Sequence, residues 1–241
     1  MLSTSTTLKQ DKALKAIAVW SGGKDSCLAY CRALKSGYQI TDLLNFTVKD
    51  SKRSCFHGIA NDFLALQAEQ IGLPLFQKEV SAGMKDYEKN FKEAVSKFKS
   101  EGIERAVFGD IYINGYSNWV ERVCQELEIE AIEPLWGQDT EDLFKEFIDY
   151  GFKAIVVSCR SELFPKEFIG RCLDKDILDE LKRRKICPCG ENGEFHTFVV
   201  DGPIFKKKIE ITQSQAIFKE GFWKYWFLDI KGCQLKDREG R

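Results

Sequence analysis

From about residue 16 to residue 160, short apolar runs alternate with longer stretches in which apolar residues return every three or four positions. Ile17-Ala18-Val19-Trp20 is a run of the kind that makes a buried parallel strand. Cys27, Leu28, Cys31 and Leu34 follow at helical spacing, and Gly37 stands where that helix would end. The pair then repeats. Leu43 to Val48 predicts a second strand, and Ile59, Phe63, Leu66 and Ile71 a helix stopped by Gly72-Leu73-Pro74. Leu75 to Val80 predicts a third strand, before a helix lined by Tyr87, Phe91, Val95 and Phe98. Arg105 to Phe108 predicts a fourth, running into Gly109-Asp110. A helix from about Ser117 to Leu127, a short strand near Ile132, a helix carrying Leu143, Phe144, Phe147 and Ile148, and a strand at Ala154 to Val157 complete the series. This rhythm predicts an α/β fold with a doubly wound, mostly parallel sheet. Ligands of such sheets lie beyond the carboxyl ends of the strands. Ser21-Gly22-Gly23, His57 and Gly109-Asp110 all follow strands on that side.

After about residue 160 the rhythm changes. A helical segment, Ile177 to Arg184, precedes the polar string Cys187 to Thr197. Phe198-Val199-Val200 then meets the turn signal Asp201-Gly202-Pro203, and Ile209 to Thr212 and Phe222 to Ile230 have β character. The expected organisation is a larger domain over 13–160 and a smaller α+β domain over 161–241 that returns to the face of the first.

A chain of 241 residues with 44% hydrophobic and 30% charged residues can bury a sizeable core. Its net charge of −1 provides no basic field for nucleic acid. The run Lys182-Arg183-Arg184-Lys185 reads as a solvated, dipole-complementing helix end. No apolar run reaches the roughly 20 residues that span a membrane. The first dozen residues are polar, without the apolar core of a secretion signal. A cytoplasmic location is therefore expected, with the nine cysteines reduced. Oligomeric state is not legible.

Two strings concentrate the chemistry. Ser21-Gly22-Gly23-Lys24-Asp25-Ser26 sits between the first strand and the first helix. Glycines let backbone N–H groups converge, and a helix N-terminus adds free N–H groups and a positive dipole end, which together suit a phosphate chain. The commoner phosphate loop requires a glycine five residues before Gly23 and Ser or Thr after the lysine, where this chain has Ala18 and Asp25. Lys24 can neutralise phosphate and Ser26 can donate a hydrogen bond. Asp25 can hold magnesium, or it is a first-turn carboxylate favoured by the helix dipole. Asp110 is either a site acid on the ligand edge or an N-cap. His57 either contacts a nucleotide or is a loop histidine bonded to backbone. In the second string, Glu191-Asn192-Gly193-Glu194-Phe195-His196-Thr197, the carboxylates could position an amine nucleophile or take its proton, or the stretch is a β-hairpin with a polar outer face. Strict alternation would put Glu194, His196 and Phe198 on one face and Phe195 and Thr197 on the other. Cys187 and Cys189 have a spacing that fits zinc poorly and read as ordinary thiols or, alternatively, as a persulfide or redox pair.

The first string resembles the pyrophosphate loop of the ATP pyrophosphatases, which split ATP between its α and β phosphates. Together with His57-Gly58, Gly109-Asp110, Pro134-Leu135-Trp136, and Gly190 to Thr197 leading to Asp201-Gly202-Pro203, it makes the chain similar to the diphthine–ammonia ligase family from about Ala16 to Phe205. The resemblance implies a HUP (Rossmann-like) nucleotide domain followed by an acceptor domain. It further implies ATP and Mg²⁺, adenylation of a carboxylate with release of PPi, and amidation by free ammonium. The acceptor would be diphthine on elongation factor two, or another carboxylate in organisms without diphthine. Carried onto this chain, Ser21, Gly22, Gly23, Lys24, Asp25, Ser26, His57, Gly109 and Asp110 would bind nucleotide, with Asp25 on magnesium. Lys24, Glu191, Glu194 and Thr197 would be catalytic. A tRNA-thiolating enzyme shares the loop, but the chain lacks a basic face and a convincing catalytic cysteine pair. A non-catalytic nucleotide sensor gives no use for Glu191 to Thr197.

Overall fold

The computed structural model describes residues 14–49, 51–55, 57–81, 84–112, 119–220 and 224–238. Its first sheet is built from β1 (Leu14–Val19), β2 (Tyr38–Val48), β3 (Arg53–Ser54), β4 (Leu75–Val80), β5 (Arg105–Val107) and β6 (Glu130–Ile132). β1 pairs parallel with β2 and β5, β4 parallel with β2, and β6 parallel with β5; only the short β3 runs antiparallel. The parallel strands therefore lie in the order β4-β2-β1-β5-β6, and the order reverses between β1 and β5. Open α/β sheets bind ligands in the crevice at such a switch point.

Period-two alternation along β1 splits the core. Ile17 faces one apolar layer with Leu44, Phe46 and Phe108. That layer is covered by α3 (Met84–Ser100), through Phe91, Val95 and Phe98, and by α4 (Trp119–Glu126), through Val120 and Val123. Ser117 and Asn118, expected at the start of that helix, lie outside the described residues. Ala16, Ala18 and Trp20 face the other layer, covered by α1 (Lys24–Lys35) and α2 (Asn61–Ile71). The doubly wound sheet is thus present as expected.

The second layer continues without a break into an antiparallel sheet. This sheet has the order β8-β7-β10-β9, with β7 (Lys153–Arg160), β8 (Phe195–Asp201), β9 (Lys208–Glu220) and β10 (Lys224–Lys236). β7 corrects one expectation. The run Ala154 to Val157 was expected to extend the parallel sheet, whereas it pairs antiparallel with β8 and β10. A continuous apolar run is consistent with either neighbour, and only the long-range ladder decides. Two helices, α5 (Thr140–Asp149) and α6 (Lys175–Arg183), pack Phe144, Phe147, Ile177 and Leu181 into the shared core. Each is N-capped by an aspartate: Asp139 accepts from Glu141 N and Asp142 N, and Asp174 accepts from Ile177 N. Phe222, named in the last expected β segment, lies outside the described residues. Among the described residues no helix is long and apolar enough to cross a membrane.

Candidate active site

β1 ends at Val19, and the chain turns through Ser21, Gly22 and Gly23 into α1. Gly22 has φ +78°, a left-handed conformation that side chains disfavour. A Cβ there would also overlap Leu64 and lie 2.7 Å from Gln67 Oε1. Gly23 is the N-cap, with extended φ −89° and ψ 177°, and its constraint is space: a Cβ would overlap the His57 ring. The third glycine comes from the end of β5. A Cβ on Gly109 would lie 2.8 Å from Ser26 N and 2.9 Å from the Asp25 carbonyl carbon. Gly109 keeps side-chain atoms off the first turn of α1, while Gly22 and Gly23 let the loop close against α2, His57 and Thr197.

Inside the loop, Ser21 Oγ accepts from Gly23 N at 3.2 Å, and Ser26 Oγ donates to Gly23 O at 3.0 Å. Lys24 is buried, and its ammonium donates to Asp25 Oδ2 at 2.8 Å and to the carbonyl of Cys189. Burial pulls its pKa down, but Asp25, Cys189 and Glu191 together outweigh that and hold it above the ordinary lysine value. The ammonium also sits 5.5 Å from the centre of the Phe195 ring.

β8 forms the third wall. Thr197 Oγ1 accepts from Lys24 N at 3.1 Å, so a hydroxyl 173 positions away caps α1. Val199 N donates to Gly22 O at 2.9 Å. The fully buried Gln67 on α2 joins the same junction: Nε2 donates to Gly22 O (3.0 Å) and Val199 O (2.7 Å), while Oε1 accepts from Trp20 Nε1 (3.0 Å). His57 Nδ1 lies 2.9 Å from Thr197 O. A carbonyl only accepts, so the neutral ring carries its proton on Nδ1. Burial, first of all, keeps His57 below the usual histidine pKa.

Asp110 and Glu191 lie close to Asp25. Asp110 is pushed up by burial and then by the charge of Asp25. Glu191 is raised to about 8, by burial first and then by Asp25, with Lys24 opposing. Glu194 turns back into its own loop, its carboxylate accepting from Asn192 N at 2.9 Å and Asn192 Nδ2 at 3.0 Å. Tyr225 OH donates to Gly193 O at 3.1 Å, and Tyr112 OH to Cys187 Sγ at 3.5 Å. Cys189 is buried against Thr140 O with its thiol pKa pushed up by burial, an environment for an inert thiol. Nine free cysteines are present. Among the described residues no group of three or more His, Cys, Asp or Glu side chains could hold a metal ion by itself.

The two strings singled out in the sequence are therefore in contact. Ser21 to Ser26, His57, Gly109, Asp110, Glu191 and Thr197 surround one cradle. For Thr197 and His57, the bonds present are to backbone. Gln67, Tyr112 and Tyr225 were not anticipated. The available signal was a glutamine on the buried stripe of a helix, between Leu64 and Ala68; nothing local marked the two tyrosines.

Two family models match the chain: "Diphthamide synthase N-terminal domain" over residues 14–131 and "Diphthamide synthase C-terminal domain" over 139–237. Similar proteins include the diphthine–ammonia ligases of Rattus norvegicus (28% identical over 250 residues) and Homo sapiens (27% over 250), each alignment covering 93% of this chain and 94% of the relative. The diphthine–ammonia ligase of Schizosaccharomyces pombe is 26% identical over 246 residues, which is 93% of this chain but 40% of that protein.

Proposed function

The chain belongs to the diphthamide synthase family of diphthine–ammonia ligases, and from that membership we propose that it uses ATP to amidate a carboxylate with ammonium. A carboxylate oxygen is a poor leaving group. In the proposed reaction it attacks the α-phosphorus of ATP, the α–β bond breaks, and PPi departs. The ammonia nitrogen then attacks the acyl carbon, AMP leaves, and the nitrogen loses a proton. The relatives' names point to the carboxylate of diphthine as acceptor.

The observation that carries this reading is the contact between the two strings. Thr197 in the Glu191–Thr197 string caps the helix that follows the glycine loop, so a carboxylate held along β8 would lie beside the phosphate chain. We assign the grip on departing PPi to Ser21, Gly22, Gly23, Lys24 and Ser26, where preorganised N–H groups stabilise developing charge. His57 closes the back of the loop, and Gly109 leaves room over it. Glu191, with a pKa of about 8, is suited to take the proton from the attacking nitrogen near neutral pH. Glu194 holds the turn that presents Glu191. Magnesium takes one or two carboxylates plus phosphate oxygens and water, and Asp25 with Asp110 fits that donor set; bound there it would neutralise phosphate charge. We further propose two domains, one on the parallel sheet for nucleotide and one on the antiparallel sheet, including β7, for acceptor.

Incubation with ATP, ammonium and a diphthine-bearing elongation factor should release AMP and PPi in equal amounts and only with ammonium present. Release of ADP and phosphate would overturn the reading. Transfer of AMP to no carboxylate in a panel would favour a nucleotide sensor.

A further inference from the structure

His57 and His196 are the two histidines of the chain, and their rings face each other behind the glycine loop with centroids 4.7 Å apart. Because His57 Nδ1 is committed to Thr197 O, its Nε2 keeps a lone pair. The ring nitrogens of His196 have no hydrogen-bond partner among the described residues. Beside them lies Ser158 on β7, whose Cα pairs with His196 on one side and Phe227 on the other. Partners across an antiparallel ladder point to the same face, so His196, Ser158 and Phe227 form one row. Ser158 is 1% exposed, and its Oγ has no partner among the described residues. Opposite the row stands the loop that carries His57: a Cβ on Gly58 would lie 3.4 Å from Phe227 Cε1.

Buried polar atoms without partners are rare, and a bound water or ion is one way in which such an atom is completed. Ser158 Oγ is such an atom; His196 and Phe227 flank it in the ladder, and the His57 ring packs on His196. His57 also closes the back of the glycine loop through its Nδ1 side, whereas the contacts of that loop and of Glu194 involve neither His196 nor Ser158. We propose that this row binds the ammonia nitrogen, which enters as ammonium at the nitrogen-bearing edges of the contacting His57 and His196 rings. Its N–H groups donate to the imidazole lone pairs and to Ser158 Oγ, and the Phe227 ring closes the remaining side.

Water offers two donors, whereas ammonium offers four donors, no acceptor and a charge that an aromatic face attracts. The Phe227 ring already carries one cation, with Lys219 Nζ 5.4 Å from its centre. Burial keeps both imidazoles below the usual histidine pKa, which leaves their lone pairs free. The charge of Lys24 is offset by Asp25 at 2.8 Å. Thr197 lies between this row and the glycine loop, its carbonyl on His57 and its hydroxyl on Lys24 N. The inference rests on the ammonia-dependent reading, but its test does not need turnover.

With two histidines in the chain, a ¹⁵N-imidazole NMR spectrum is readily assigned. Titration with ammonium chloride against sodium chloride, at constant ionic strength and without ATP, should shift both rings along a saturating curve. Ser158→Ala should raise the half-saturating concentration at least threefold, and His196→Phe should abolish saturation at His57, each with the amide spectrum of a folded protein. Equal responses to sodium and ammonium would mean water only and would overturn the proposal, as would an unchanged midpoint in both variants. Saturable ammonium binding in a protein that never forms AMP would remove the reaction and leave the site; AMP formation without an ammonium-induced shift would remove the site and leave the reaction.

Discussion

Gly23→Ala adds one methyl group at the narrowest point between the glycine loop and β8. The backbone at Gly23, φ −89° and ψ 177°, is open to any residue, so conformational strain contributes nothing. The cost lies in packing. The new Cβ would overlap His57 Cε1 and lie 3.0 Å from Nδ1 and 3.1 Å from Thr197 O. Moving the ring aside breaks its hydrogen bond to Thr197 O, worth about 1 kcal/mol net, and overpacking of a tight site costs about 1–3 kcal/mol. The expected destabilisation is about 2–4 kcal/mol, or roughly 5–15 °C in melting temperature for a chain of this size. Near-UV circular dichroism during heating would measure it.

A double-mutant cycle isolates the cause. His57→Ala in the background removes the two nearest atoms that the added methyl meets, so at least half of the penalty should vanish, a coupling of about 1–2 kcal/mol. Gly22→Ala is the control. Its penalty comes from φ +78° and from Leu64 and Gln67, so His57→Ala should not relieve it. Strict additivity of Gly23→Ala and His57→Ala would refute the packing argument.

Three further expectations can be checked on the same protein. Thr197→Val removes the acceptor of Lys24 N and should lower stability by about 1 kcal/mol, whereas Thr197→Ser should stay within about 0.5 kcal/mol; equal melting of the valine variant and the parent would exclude the cap. Glu191 has a folded pKa of about 8 against an ordinary value of 4.5, so the stability its protonated form contributes is present below about pH 4.5 and is lost as pH rises through 8. Between pH 5 and 8.5 the parent should therefore lose on the order of a few kcal/mol more than Glu191→Gln, and parallel pH curves would contradict this. Asp25→Ala should weaken the use of magnesium ATP, while Glu194→Ala should retain nucleotide affinity and lose amidation; calorimetry showing lost ATP binding in Glu194→Ala would defeat that division.

The parallel sheet was legible because each strand–helix pair is local. Ile17 to Trp20 and the Cys27, Leu28, Cys31, Leu34 stripe carry their own periods, and Gly-Gly marks the turn between them. The glycine loop was legible for the same reason. What escaped depends on long-range pairing. β7 was assigned to the wrong sheet because four apolar residues in a row do not specify a neighbour. Gln67 sits on the core side of α2, and its three partners lie at Trp20, Gly22 and Val199, so no window around it shows the junction. Thr197 was recognisable as important, but its bond to Lys24 N depends on a docking that local pattern does not encode.

That docking makes the register of β8 a condition of the nucleotide site. A slip of one residue in a strand turns every side chain to the opposite face. In β8 it would remove Thr197 Oγ1 from Lys24 N and present His196 or Phe198 in its place, leaving a buried helix N–H without an acceptor. Two features oppose such a slip. The β7–β8 ladder shifts register between Lys153 and Ala154 and again between Val156 and Ser158, so the pairing has two offsets that a displaced strand could not match. Gly190, at φ +74°, leaves no room for a Cβ, which would lie 2.6 Å from Phe195 O, and so fixes where the Glu191–Glu194 turn delivers the chain into β8. Glu194 then ties that turn through Asn192, and Tyr225 ties it to β10 through Gly193. The register that keeps Thr197 on α1 therefore rests on the ladder offsets and on Gly190, while the carboxylate of Glu194 shapes only the turn ahead of β8, which is why its removal should spare the nucleotide site.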